Sequence, residues 1–149
     1  MRFYLATRYE DRARLYPLAT TLTKLGHVVT SKWLNEDKET EEAVYRVISG
    51  EGSIEDLHTT VDVAEGDLSD IRACDVFIVL SHKSKPSPRG GMWREMGYAY
   101  AMVERGVIDE IWLVGDKVSH FDHVMAERWF RNCKEVEKYV RQLEEEKDE

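Results

Sequence analysis

The chain opens on a short apolar run, RFYLAT over 2–7, which predicts a buried first strand. Over 10–26, Leu15, Leu18, Leu22 and Leu25 recur at helical spacing, and Gly26 supplies a stop. Pro17 falls inside that pattern and is expected to bend the helix or displace its start. Residues 27–34, HVVTSKWL, predict a second strand. A strand, a helix and a strand joined by short turns form a βαβ unit, which implies a parallel sheet.

Residues 35–55 are highly charged and carry the breaker SGEGS at 49–53. They predict a short helix over 39–48, a loop, and a longer helix over about 54–73 whose Leu68 and Ile71 face the core. The loop reads as a solvated connection, with a flap as the alternative. CDVFIVLS, 74–81, is the clearest strand, a continuous apolar run as expected when both faces are covered. After the loop HKSKPSPRGG comes a helix over 92–105, closed by Gly106. VIDEIWLVG, 107–115, predicts a fourth strand, 121–131 a short helix, and 133–147 a final charged one. Trp112 and Trp129 read as core. With no repeat and no linker, residues 1–149 make a single α/β domain with four or five parallel strands.

Composition narrows the class. Hydrophobic residues make up 42% of 149 and charged residues 34%, the balance of a soluble globular domain. A net charge of −8 argues against a nucleic-acid backbone or a membrane surface as partner, but a locally basic pocket still suits a small anion. No apolar run approaches the ~20 residues of a membrane span, and the start turns charged within a few residues. Cys74 and Cys133 match no metal spacing and are expected to be structural and reduced. The expected location is therefore the cytoplasm. No cofactor or metal is called for.

Candidate chemistry concentrates after the third strand. In parallel sheets, ligands bind beyond the carboxyl ends of the strands, where loops lead into helix N-termini. PSPRGG lies there. Its glycines permit close backbone approach, the helix start favours an anion, and Arg89 adds a permanent planar donor. The run is neither a Walker loop nor GxGxxG, so a flexible turn is the competing reading. Glu95 sits in the first turns of the next helix among Met96, Tyr98, Ala99 and Met102, and Gly97 removes a side chain beside it. A carboxylate in a tight apolar pocket is the kind used as a nucleophile at an anomeric carbon. Asp67 and Asp70, one turn apart, are either solvated helix residues or acids at the sheet's edge; Asp75 reads as a turn or cap residue. His120 and His123 flank Asp122, where a solvated turn is favoured over a metal site, and Trp33 and Trp93 suit either base stacking or packing.

FYLAT, GDLSDIRACDVFIVL and RGGMWREMGYAYA, with its Glu-x-Gly-Tyr-Ala core, occur in an order and spacing that resemble the nucleoside 2-deoxyribosyltransferase-like family, which includes nucleotide N-glycosidases. The resemblance covers about residues 1–115 and rests on the series rather than on one motif. It implies a flavodoxin/Rossmann-like fold with helices on both faces of the sheet. It also implies attack by a Glu on C1′ of a (deoxy)ribosyl group and release of the sugar to water or another base. Carried over by position, Glu95 is the nucleophile, Asp67 the acid that handles the departing base, and Tyr4 the residue that orients the nucleophile. Thr7, Arg8 and Tyr9 after the first strand, and Arg89, Gly90 and Gly91 before the helix, are the implied substrate-binding positions.

Where family members acting on free nucleosides carry a further acid, six residues before Glu95, this chain has Arg89. Arg-Gly-Gly suits a 5′-phosphate better. The resemblance also implies a homo-oligomer, for which helices 92–105 and 133–147 offer amphipathic faces. Two rival readings are a nucleotide-binding sensor without efficient catalysis and a TIR-like NAD hydrolase.

Overall fold

Strand β1 (Arg2–Ala6) alternates its side chains between two cores, as a period of two requires. Phe3 and Leu5 enter one core and Tyr4 and Ala6 the other. The computed structural model describes residues 1–81 and 91–149. Five parallel strands lie in the order β2-β1-β3-β4-β5: β2 (Val28–Val29), β3 (Val76–Leu80), β4 (Glu110–Val114) and β5 (Arg128–Phe130) complete the sheet. All five residues of β3 are buried, because helices cover it on both sides.

Helices α1 (Tyr16–Lys24) and α6 (Cys133–Lys147) supply Leu18, Leu22, Val136 and Val140 to the core that holds Phe3, Ile78 and Trp112. On the other face, α4 (Gly91–Glu104) packs Met92, Met96, Ala99 and Met102 against Tyr4, Phe77 and Leu113. Two further helices, α2 (Lys38–Ile48) and α3 (Ile54–Arg72), form a hairpin beyond that face. Its turn is set by a capping box, in which Ser53 accepts from the Asp56 N–H and the Asp56 carboxylate accepts from the Ser53 N–H. Arg46 clamps the same carboxylate through two donors, each at 2.9 Å.

Four expectations need correction. The predicted helix over 10–26 splits into a 3-10 stretch, Tyr9–Leu15, and α1, with Pro17 in its first turn, where the missing N–H costs nothing. The second strand is two residues long, not eight. Past Thr30, side chains replace its backbone ladder: Ser31 Oγ accepts from the Leu5 N–H at 3.1 Å, and Trp33 Nε1 donates to the Leu5 carbonyl at 2.9 Å. The helix expected over 121–131 shrinks to α5 (Asp122–Met125), because Arg128–Phe130 pair with the open edge of β4. Trp129, expected in the core, is on that edge and 52% exposed, whereas Trp112 is buried.

Both cysteines are free, and Cys74 is buried. Among the described residues no helix is long and apolar enough to cross a membrane.

Candidate active site

The strand order reverses direction between β1 and β3, and that switch point is where an open parallel sheet offers a crevice at its carboxyl edge. Thr7 joins the two strand ends there, its hydroxyl donating to the Leu80 carbonyl at 2.9 Å. A cavity of about 300 Å³ opens beside it. Thr7, Arg8 and Tyr9 form one side, Trp33 and Glu36 a second, and Gly91, Met92 and Glu95 of α4 a third. The outer wall is the α2–α3 hairpin, through Glu41, Val44 and Ile48 and through Thr60, Val63, Ala64 and Asp67.

Glu95 is one residue beyond the first turn of α4, and its carboxylate accepts a hydrogen bond from the Tyr4 hydroxyl. Tyr4 is held rigidly. It is 0% exposed and stacks on Phe77, its registered neighbour in β3, with centroids 5.4 Å apart and planes 6° from parallel. Burial pushes the Glu95 carboxyl up to about 7, and the Tyr4 donor opposes that rise. Burial, then the charges of Glu95 and Asp67, drive the Tyr4 hydroxyl well above its ordinary pKa. Tyr4 therefore remains a proton donor at every working pH.

Asp67 comes from the last turns of α3, which two anchors fix. Arg72 Nη1 donates to Tyr98 Oη of α4 at 2.8 Å. Asp70, one turn on, is buried; it accepts from the Lys32 N–H at 3.2 Å and pairs with the Lys32 ammonium at 3.2 Å. Asp70 is thus a structural anchor. Leu68, expected in the core, instead faces outward. Burial, followed by the charges of Glu95, Glu36 and Asp70, pushes the Asp67 carboxyl up to about 7.

Two carboxyls that both resist ionisation differ in one respect: only Glu95 has the Tyr4 donor. Once Glu95 ionises, its charge further disfavours ionisation of Asp67. The singly protonated pair is therefore best arranged with the charge on Glu95 and the proton on Asp67. An ionised Glu95 carboxylate and a neutral Asp67 carboxyl then coexist near neutral pH.

The raised carboxyls also tax stability. Below about pH 3 both are protonated whether the chain is folded or not, so they contribute nothing. Between there and about 7 the unfolded chain has shed protons that the folded one retains, and stability falls as pH rises. Above about 7 the cost is constant. For Glu95, the gap between 4.5 and about 7 corresponds to at most roughly 3 kcal/mol. Glu95→Gln, which cannot ionise but still accepts from Tyr4, should melt higher than the wild type at pH 8 and alongside it at pH 4. Thermal denaturation followed by circular dichroism across that range reads this directly; equal melting points at pH 8 would contradict the buried-carboxylate account.

The outer wall is tied to the strand side. Tyr9 hydrogen-bonds to Glu41, Arg12 pairs with the same carboxylate, and the Arg12 guanidinium lies 4.7 Å from the Tyr9 ring centroid. Those two bonds hold the Glu41 carboxyl below its usual range, whereas burial and then Glu41's charge raise that of Glu36. Arg8 forms an ion pair with Asp11.

Glu95, Asp67, Thr7, Arg8, Tyr9 and Gly91 line one cavity, with Tyr4 directly behind Glu95. Arg89 and Gly90 lie outside the described residues. Sequence reasoning missed Glu36, Glu41, Thr60 and the apolar wall of Val44, Ile48, Val63 and Ala64. A usable signal was the apolar residues of the 54–73 helix, which have too few partners in the sheet. Trp33, open between stacking and packing, lines the cavity, whereas Trp93 packs against the core around Met96. Asp122 accepts from the N–H groups of Val118 and Ser119 at 2.8 and 3.1 Å, so the acid between the two histidines serves a turn. Asp75 likewise binds the Arg2 N–H and guanidinium at 2.7 and 3.0 Å.

The domain shares its five-stranded α/β fold with solved enzymes of nucleoside and nucleotide chemistry. One is a 2-deoxyribosyltransferase from the psychrotolerant bacterium Bacillus psychrosaccharolyticus, with a TM-score of 0.65 and 20% identity over 92% of this chain and 90% of that one. Another is the CMP N-glycosidase BcmB of Clostridium botulinum, with a TM-score of 0.55 and 19% identity over 94% of this chain and 98% of that one. At these identities the likeness is one of fold. No family model and no curated protein matches the chain.

Proposed function

We propose that the protein is an N-glycosidic enzyme that cleaves or transfers the base–sugar bond of a nucleotide or nucleoside through a covalent glycosyl-Glu95 intermediate. The observation that carries this reading is the buried Tyr4–Glu95 hydrogen bond facing the same cavity as a raised Asp67. The activities named for the two fold neighbours support the same reading.

In the first step the Glu95 carboxylate bonds to C1′ as the N-glycosidic electron pair leaves with the base. Asp67 gives its proton to the departing ring nitrogen, which turns a poor leaving group into a neutral one. Tyr4 keeps the attacking oxygen oriented. In the second step water, or the nitrogen of another base, bonds to C1′ and yields its proton to the Asp67 carboxylate. Glu95 is released as the carboxylate, so atoms and charge balance.

The substrate end of the site is read as a phosphate cradle. Gly91 lines the cavity at the N-terminus of α4, where N–H groups and the helix dipole favour an anion. Arg89 and Gly90 precede it in sequence, so a 5′-phosphorylated substrate suits this end better than a free nucleoside, with hydrolysis as the favoured outcome. Thr7, Arg8 and Tyr9 form the wall opposite. Trp33 offers a flat apolar surface to the base, its own N–H already bonded to the Leu5 carbonyl.

The test is incubation with a panel of nucleosides and their mono-, di- and triphosphates, with chromatography of the products. Release of a free base together with a sugar phosphate supports the proposal; binding without release on every substrate contradicts it. Tyr4→Phe keeps the ring stack but removes the donor. It should lower turnover about 10- to 100-fold and move the acidic limb of the pH–rate profile upward, because Glu95 then loses the hydrogen bond that opposes its protonation. An unmoved limb would remove Tyr4 from the mechanism.

A further inference from the structure

Most polar side chains around the cavity are committed within the protein. Thr7 donates to the Leu80 carbonyl, Thr60 to the Asp56 carbonyl at 2.8 Å, and Trp33 to the Leu5 carbonyl. Arg8 pairs with Asp11, Glu41 is held by Tyr9 and Arg12, and Glu95 accepts from Tyr4. Two carboxyls remain. Among the described residues, neither Asp67 nor Glu36 has a side-chain hydrogen bond or ion pair. A half-buried carboxyl without a partner is a place where a ligand atom gains most by supplying one.

The two stand together. Trp33, Glu36, Val63 and Asp67 line both the cavity and a neighbouring one of about 270 Å³, so they form the partition between the two. Lys32 bonds to Asp70 through its N–H and its ammonium. Those bonds lock the 3-10 turn Lys32–Asn35, which leads into Glu36, to the end of α3 that carries Asp67. The pair also differs in charge. Asp67 holds its proton up to about 7, and the negative charge of Glu36 is one of the causes. Burial, then the charge of Glu41, raises Glu36 as well, but Arg12 opposes that rise. Asp67 therefore presents an O–H, and Glu36 an anionic acceptor beside it.

We propose that Glu36 selects the base. With Asp67 it reads a ring nitrogen that accepts next to an exocyclic amino group that donates, so amino bases are cleaved in preference to their oxo counterparts. This inference rests on the base–sugar cleavage proposed above. Adenine offers N7 beside its 6-amino group, and cytosine N3 beside its 4-amino group. In hypoxanthine and uracil an oxo oxygen stands in that place and would face the Glu36 carboxylate with no proton between them. As the bond to C1′ breaks, the Asp67 proton passes to the ring nitrogen. Glu36 keeps its charge and accepts only a hydrogen bond from the amino N–H. The base is most positive while the proton has arrived and the glycosidic electron pair has not, so Glu36 acts most strongly in the transition state.

Initial rates with AMP against IMP and with CMP against UMP test the assignment, each pair as ribo- and 2-deoxyribonucleotides. In whichever pair is cleaved, the wild type should favour the amino member at least about 100-fold in kcat/KM. Glu36→Gln, whose amide can donate or accept, should bring the ratio within about 3-fold by slowing the amino member and speeding the oxo one. A wild type that cleaves both members alike, or a Glu36→Gln variant that keeps the wild-type preference, overturns the assignment. If no member releases its base, the proposed function fails, and calorimetric titration of the same four monophosphates decides the inference separately. Tighter binding of the amino member then supports it, and equal or absent binding overturns it.

Discussion

Glu95→Gln should reduce base release by at least about 10³-fold while the protein stays folded and still binds substrate. Glutamine keeps the volume and the acceptor for the Tyr4 hydroxyl, so the packing of Met92, Met96 and Phe77 around it has no cause to change. What disappears is the anionic oxygen that bonds to C1′ and balances the positive charge growing on the sugar as the base leaves. The loss belongs in kcat more than in KM. Steady-state kinetics on whichever substrate the wild type cleaves measures it, with ligand-induced stabilisation as the check on binding. A variant that turns over within a few-fold of the wild type would exclude Glu95 as nucleophile. Lost binding together with lost turnover would point instead to a carboxylate that only holds the ligand.

Asp67→Asn should cost about 10² to 10⁴ in kcat on an ordinary base, the range of a removed general acid. The deficit should depend on the leaving group. A nucleotide whose base is already cationic, such as 7-methylguanine, departs neutral without a proton and should narrow the loss to about 10-fold or less. The variant should also lose the basic limb of its pH–rate profile, which Asp67 would otherwise place near its raised value of about 7. An equal loss on both substrates, with the basic limb kept, would show that Asp67 shapes the pocket without donating a proton.

The sheet was legible in the sequence because it rests on local pattern, whereas Glu95, Asp67 and Tyr4 were singled out together through the family resemblance, and the structure brings them to one cavity. VFIVL could only be a strand covered on both faces, and the helix that carries Glu95 begins within one residue of its predicted start. Tyr4 meets Glu95 because alternation along β1 turns Tyr4 to one face and the structure puts α4 on that face. What the pattern concealed was tertiary. Ser31 and Trp33 end β2 by substituting side chains for backbone partners, and no propensity announces that. Arg128–Phe130 become a strand only because β4 has an open edge. The α2–α3 wall escaped notice because its apolar residues resemble core residues until the structure shows how few reach the sheet. Leu68 is the clearest case: its spacing from Ile71 suggested the core, and the turn of the helix carries it outward.

The most direct test of the account is to trap the intermediate on the wild-type chain. A 2-fluoro-arabinosyl nucleotide slows release of the sugar, because the fluorine disfavours positive charge at C1′. Proteolysis and mass spectrometry after its addition should find one fluorosugar phosphate on Glu95, with an equal amount of base set free. Base release with no adduct, or an adduct on any other residue, would contradict the central claim that Glu95 attacks the anomeric carbon.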